Sequence, residues 1–211
     1  MIRLSSAAAG ILLLALGLVL SAAGAFADYR AHAQVAESGG HAGHEPVTGP
    51  PAHDAVVVGL GLAGIGAASI GLGALMRKDL GTRVGLAKYA ALVLLIADGV
   101  LHLFVMNEHL SLAIFAAFFL GAGGVELGLP IVGVRRDRFV SWAGILVSAG
   151  LIAIYGYTRV LPPPFEEAPE PSEALGILSK VIEACVIALL GYVLLRRRAL
   201  QRAPSASNAR A

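Results

Sequence analysis

A polytopic, all-α transmembrane helical bundle of five or six spans is what this chain predicts, on three observations. Apolar residues make up 57% of its 211 residues, charged residues only 14%, and the mean hydropathy is +0.77. That balance is foreign to an ordinary water-soluble domain. Apolar runs of about 20 residues recur with short polar links between them, the length a helix needs to cross a hydrocarbon core. A helix satisfies its own backbone polar groups, so it is the form such runs take in lipid. Lysine and arginine gather on alternate links beside the apolar runs, which is how anchoring charges are placed.

Taken in order, residues 1–27 carry Arg3, an apolar run from Ile11 to Leu20, and Ala25-Phe26-Ala27 before Asp28. A basic start, a short apolar stretch and an A-x-A site describe a secretory signal peptide. The same residues are long enough to be an uncleaved first transmembrane helix. Both readings place residue 28 outside. Residues 28–54 are polar and interrupted by Gly39, Gly40, Gly43, Gly49, Pro46, Pro50 and Pro51, so a flexible external segment is expected. His32, His41, His44 and His53 all fall in it. Short histidine-rich tracts bind copper or zinc through neutral imidazoles, which makes these four the expected external metal ligands.

The membrane bundle itself is expected over residues 55–195. Its first segment, Ala55 to Met76, contains Gly59-Leu60-Gly61-Leu62-Ala63-Gly64 after three valines, with Asp79 downstream. The spacing imitates a dinucleotide fingerprint. That fold needs a second strand ending in the acid, and ASIGLGALMRKD offers none. Small residues at four-residue spacing, such as Ala63, Ala67 and Gly71, instead let another helix approach closely. This Gly/Ala-rich helix is therefore the expected surface for other membrane subunits. Arg77, Lys78, Arg83 and Lys88 are read as a short loop, followed by a segment from Val84 to Met106 that ends at Asn107, Glu108 and His109. Leu110 to Val134 follows, with Glu126 four residues before Pro130. After a loop at Arg135–Arg138 comes Phe139 to Val160, with Trp142, Tyr155 and Tyr157 near its ends, as an aromatic belt requires. Three prolines at 162–164 and an acidic run form a stiff external link. Ser172 and Glu173 stand where caps would start the last helix, Ala174 to Leu195. Arg196-Arg197-Arg198 is read as its stop, and residues 196–211 as a disordered basic tail.

Charge sets the orientation. Placing the links alternately puts every Lys and Arg except Arg30, Arg159 and Lys180 on one side, with only Asp79 and Asp137 among them. By the positive-inside rule that side is cytoplasmic, and so is the C-terminus of this multi-pass cell-membrane protein.

Ionisable residues in hydrocarbon are costly, by at least roughly 2.5–3.5 kcal/mol each, and mark partners or tasks. Asp98, His102 and His109 fall within about 40° of one another on a helix turning 100° per residue. Asp98 lies near mid-membrane, with His102 about 6 Å further out. Lys180 and Glu183 on the last helix share overlapping depths, and Glu126 sits somewhat inside the middle of its own helix. Asp98, His102, Glu126, Lys180 and Glu183 are thus the expected intramembrane polar cluster, with Glu108, His109 and Arg159 at its outer mouth. Lys180 or Glu183 is the expected cross-helix partner of the Asp98–His102 pair.

Several classes are excluded. Cys185 stands alone, so there is neither an intramolecular disulfide nor a CxxC site. No HExxH or GxSxG elbow occurs, which argues against an enzyme. Basic residues flanking apolar runs give no nucleic-acid surface, and the nucleotide fingerprint fails on context. What remains is a small, non-catalytic integral membrane protein in contact with the lipid bilayer: an accessory factor or subunit with an intramembrane polar cluster. A proton-coupled or metal-ion transporter using Asp98, His102, Glu126 and Glu183 is the alternative. A haem-binding membrane subunit is a third reading, weakened because no other membrane segment supplies a histidine as second axial ligand.

Overall fold

The computed structural model describes residues 6–37, 51–108, 113–163, 169, 172 and 174–202, and its regular elements there are all helices. They are α1 (Ser6–Glu37), α2 (Pro51–Leu75), α3 (Arg83–Glu108), α4 (Ala113–Gly133), α5 (Asp137–Val160) and α6 (Ala174–Arg202). Five of them, α2 to α6, are long and apolar enough to cross a membrane; the apolar part of α1 is the shorter Ala8–Gly24. Large apolar side chains such as Leu62, Ile70, Leu146 and Leu195 stand exposed on the outer faces. Such a surface suits lipid and would be a liability in water.

Local chemistry fixes several ends. Pro51 occupies the first position of α2, where its missing N–H costs nothing. Thr82 Oγ1 accepts the Gly85 amide at 2.9 Å and so caps the start of α3. Asp137 lies in the first turn of α5 and Arg159 in its last, each complementing the helix dipole. The helix stops at Leu161, which is extended because a proline follows it.

The centre of the bundle is α3, which packs against α1, α2, α4 and α6. Half of its membrane stretch is buried (50%), against 22–28% for each of the other four. Its Leu92, Leu95 and Ile96 meet Leu129 of α4, Val140 of α5 and Val186 and Leu190 of α6 in one apolar core. Two glycines of α2 are used within the chain: Gly64 and Gly71 face Gly17, Ser21, Gly10 and Leu14 of α1, whereas a Cβ on Gly59 or Gly66 would have nothing within 4 Å. A Cβ on Gly71 would lie 2.6 Å from the Gly10 carbonyl oxygen, so the two backbones touch.

Three sequence expectations are corrected. Helix α1 continues through Glu37, beyond the boundary expected near residue 28, because no glycine or proline interrupts residues 28–37. Lys88 is not in a loop: it belongs to α3, is 3% exposed, and binds Asp137. Finally, α6 runs on to Arg202. Arginine is a good helix former, so Arg196–Arg198 do not end the helix.

Candidate functional site

Asp98 and His102 lie one turn apart on α3 and both face the bundle interior, 1% and 4% exposed. Their partner across the interface is Glu126 of α4, which is fully buried; His102 Nδ1 stands 2.7 Å from its Oε2. The two helices come this close because glycines meet at the crossing. A Cβ on Gly123 would lie 2.7 Å from the Gly99 carbonyl oxygen, and one on Gly99 would lie 3.1 Å from Glu126 Cβ. Gly99 follows Asp98 directly, and Gly123 precedes Glu126 by one turn. Phe119 of α4 stacks on the His102 ring at 6.0 Å between centroids. Pro130, four residues after Glu126, leaves the Glu126 carbonyl without its usual helical donor.

Helix α6 closes the third side. Glu183 is fully buried, with Oε1 3.9 Å from His102 Nε2. The Lys180 ammonium binds Glu183 Oε1, and Ser179 donates to the same oxygen at 3.3 Å. A second cluster at the other end of the bundle sets this register. Asp137 at the start of α5 binds both Lys88 of α3 and Arg197 of α6. Fourteen residues separate Lys88 from His102, and fourteen separate Glu183 from Arg197. At 1.5 Å per residue both arms are about 21 Å long, so the shared carboxylate holds His102 and Glu183 at one depth.

The cluster is closed but not satisfied. Asp98 faces Ser179 and Glu126, yet neither of its carboxylate oxygens makes a hydrogen bond of ordinary geometry. Glu126 Oε1 and Glu183 Oε2 are likewise buried without a hydrogen-bond partner. A buried polar atom left so costs roughly 1–3 kcal/mol. One ligand atom from each of Asp98, His102 and Glu126 lies within 4.8 Å of the others.

Of the other expected site residues, the structure describes the side chain of Arg159 alone. Arg159 packs its guanidinium over the Tyr155 ring at 4.4 Å, with Lys180 5.5 Å from the same ring. Glu108 ends α3, and its side chain is not among those described; His109, His41 and His44 lie outside the described residues. His32 and His53 fall in α1 and α2 at positions whose side chains are not described.

Depth along the helices points to α6 as the source of the partner, and Glu183 does stand 3.9 Å from His102, but Glu126 of α4 is nearer at 2.7 Å. The signal was present: a glycine beside Asp98 and another one turn before Glu126 mark a crossing at which both acids must meet. Spacing alone does not single out Ser179, one turn before Glu183 on the same face, or Phe119. No protein-family model, curated protein or solved structure matches this chain.

Proposed function

We propose that this multi-pass protein is a cation carrier that takes its cation into the membrane interior at Asp98, His102, Glu126 and Glu183, with Lys180 as resident counter-charge. The Arg-rich end of the bundle, including the C-terminus, faces the cytoplasm in this reading, as the distribution of basic residues requires. The single observation that carries it is the set of buried carboxylate oxygens without a hydrogen-bond partner on three helices, those of Asp98 and Glu126 being gathered with His102. A purely structural network gains by satisfying every member, and a half-satisfied one is worse than an apolar core. Acceptors without donors are what a cation needs. Helix α4 has the features of the element that yields: Pro130 breaks its hydrogen-bond ladder beside Glu126, and Gly121, Gly124 and Gly128 have open space around them.

A second reading, an accessory subunit that holds its cation permanently, is favoured by the tight Gly99–Gly123 crossing beside the cluster. Vesicles separate the two. Purified protein is reconstituted into liposomes loaded either with a pH-sensitive dye or with a dye quenched by Co2+. The carrier reading expects cation entry faster than in protein-free vesicles, and loss of that entry with Glu126→Gln. Flux of both H+ and Co2+ equal to protein-free vesicles would refute it.

A further inference from the structure

The reading above leaves the class of cation open, and the donor set narrows it. Asp98 and His102 occupy positions i and i+4 of one helix, the spacing at which two side chains on one face chelate a metal ion, as in HExxH helices. Glu126 adds a ligand from a second helix, and the three ligand atoms lie within 4.8 Å of one another. Ligand atoms roughly 2.0–2.2 Å from one ion stand about 3–3.5 Å apart, so this grouping needs only small side-chain adjustments to hold one. Independently of that spacing, Asp98 is 1% exposed with both carboxylate oxygens unpartnered, and Glu126 is 0% exposed with Oε1 unpartnered. Ser179 and Glu126 face Asp98 without a hydrogen bond of ordinary geometry to it, so these oxygens offer lone pairs to a cation.

Charge then selects the valence. Lys180 is bound to Glu183, so that pair is internally neutral. Asp98 and Glu126 remain, and as ligands both are carboxylates. A divalent ion brings their sum to zero; a monovalent ion leaves one net charge inside hydrocarbon, where it is costly. Ligand type selects the metal. Imidazole with carboxylates suits Mn2+, Fe2+, Co2+ or Zn2+, whereas Mg2+ and Ca2+ take oxygen ligands. Copper(I) wants sulfur, whereas the donors gathered here are one imidazole nitrogen and carboxylate oxygens.

We infer that Asp98, His102 and Glu126 ligate one divalent first-row transition-metal ion within the membrane, with Glu183 beside it held by Lys180. The inference rests on the cation-carrier reading of the same cluster and names its substrate class.

The test uses full-length protein in detergent with His32, His41, His44 and His53 all changed to Ala, which removes the external histidines as competitors. Binding of Co2+ is followed by visible absorption, and the bound ion is counted by mass spectrometry after dialysis against Co2+ or Zn2+. One ion per chain is expected, displaced by Zn2+ and not by Mg2+. His102→Gln and Glu126→Gln should each weaken binding at least 100-fold while circular dichroism stays helical. Should either fail to fold, Lys180→Met supplies a gain that unfolding cannot mimic: losing the nearby positive charge should tighten Co2+ binding about tenfold. Unchanged affinity in all three variants would overturn the inference. Bound metal without flux in vesicles would uphold the metal class and refute the carrier. Flux of H+ by a protein that binds no Co2+ or Zn2+ would uphold the carrier and refute the metal.

Discussion

Gly123→Ala should open the site without altering any of its polar groups. The added Cβ would stand 2.7 Å from the Gly99 carbonyl oxygen and 3.1 Å from Leu103 Cγ, whereas ordinary contact begins at 3.4 Å. Backbone lies on the other side, so α4 must move away from α3 by about 0.7 Å, the difference between those contact distances. Glu126, one turn along α4, moves with it. The separation of His102 Nδ1 and Glu126 Oε2 grows from 2.7 Å to about 3.4 Å, past the hydrogen-bonding range. Overpacking of this kind costs about 1–3 kcal/mol. For a chain of this size that lowers Tm by roughly 2–12 °C. Co2+ affinity should fall by about tenfold or more, since displaced support of a ligand typically costs 10–100-fold. Gly121→Ala is the control: it lies on the same helix with nothing within 4 Å of its Cβ, and should leave both quantities unchanged or raise Tm slightly. Melting by circular dichroism and Co2+ titration on the same detergent samples read both effects. A Gly123→Ala protein that melts and binds like the parent would refute the view that this crossing positions Glu126.

At the Arg-rich end, Asp137→Ala leaves the Lys88 ammonium, 4% exposed, without its carboxylate. A loss of about 3 kcal/mol is expected, against less than about 1 kcal/mol for Arg197→Ala, whose side chain is 43% exposed; equal losses in denaturant titrations would contradict the clamp. Orientation is tested in a Cys185→Ala background. Gly81→Cys should be labelled by an impermeant maleimide only after cells are opened, and Ser172→Cys from outside intact cells; the reverse pattern would invert the topology. Because α1 touches α2 backbone to backbone at Gly10, Gly17, Gly64 and Gly71, it is expected to stay on the chain. N-terminal peptide mapping should recover residues ahead of Asp28, and a species beginning at Asp28 would contradict this.

Much of the architecture was legible because lipid simplifies the code. Apolar length gave the spans; the alternation of the charged links is an expectation that the labelling above tests. Boundaries read from polarity were less secure. Polarity reports where the membrane ends and says little of where a helix ends, so α6 continued through Arg196–Arg198 and α1 through Asp28. Lys88 is a related case: a basic residue near an apolar run reads as an exposed anchor unless its partner, Asp137, is known. The Asp98–His102 pair was visible from its i,i+4 spacing alone. Its cross-helix partner depends on which faces meet, and that is decided by Gly99 and Gly123 on separate helices. Their significance appears only when the crossing is seen.

The central claim is that three side chains from α3 and α4 hold one metal ion inside the membrane. An anomalous difference map at the cobalt edge, from crystals of the full chain equilibrated with Co2+, tests it most directly. The account predicts one peak within the bundle, about 2.0–2.2 Å from a ligand atom each of Asp98, His102 and Glu126. A peak only among the external histidines, or none inside the bundle with the three side chains well ordered, would contradict it.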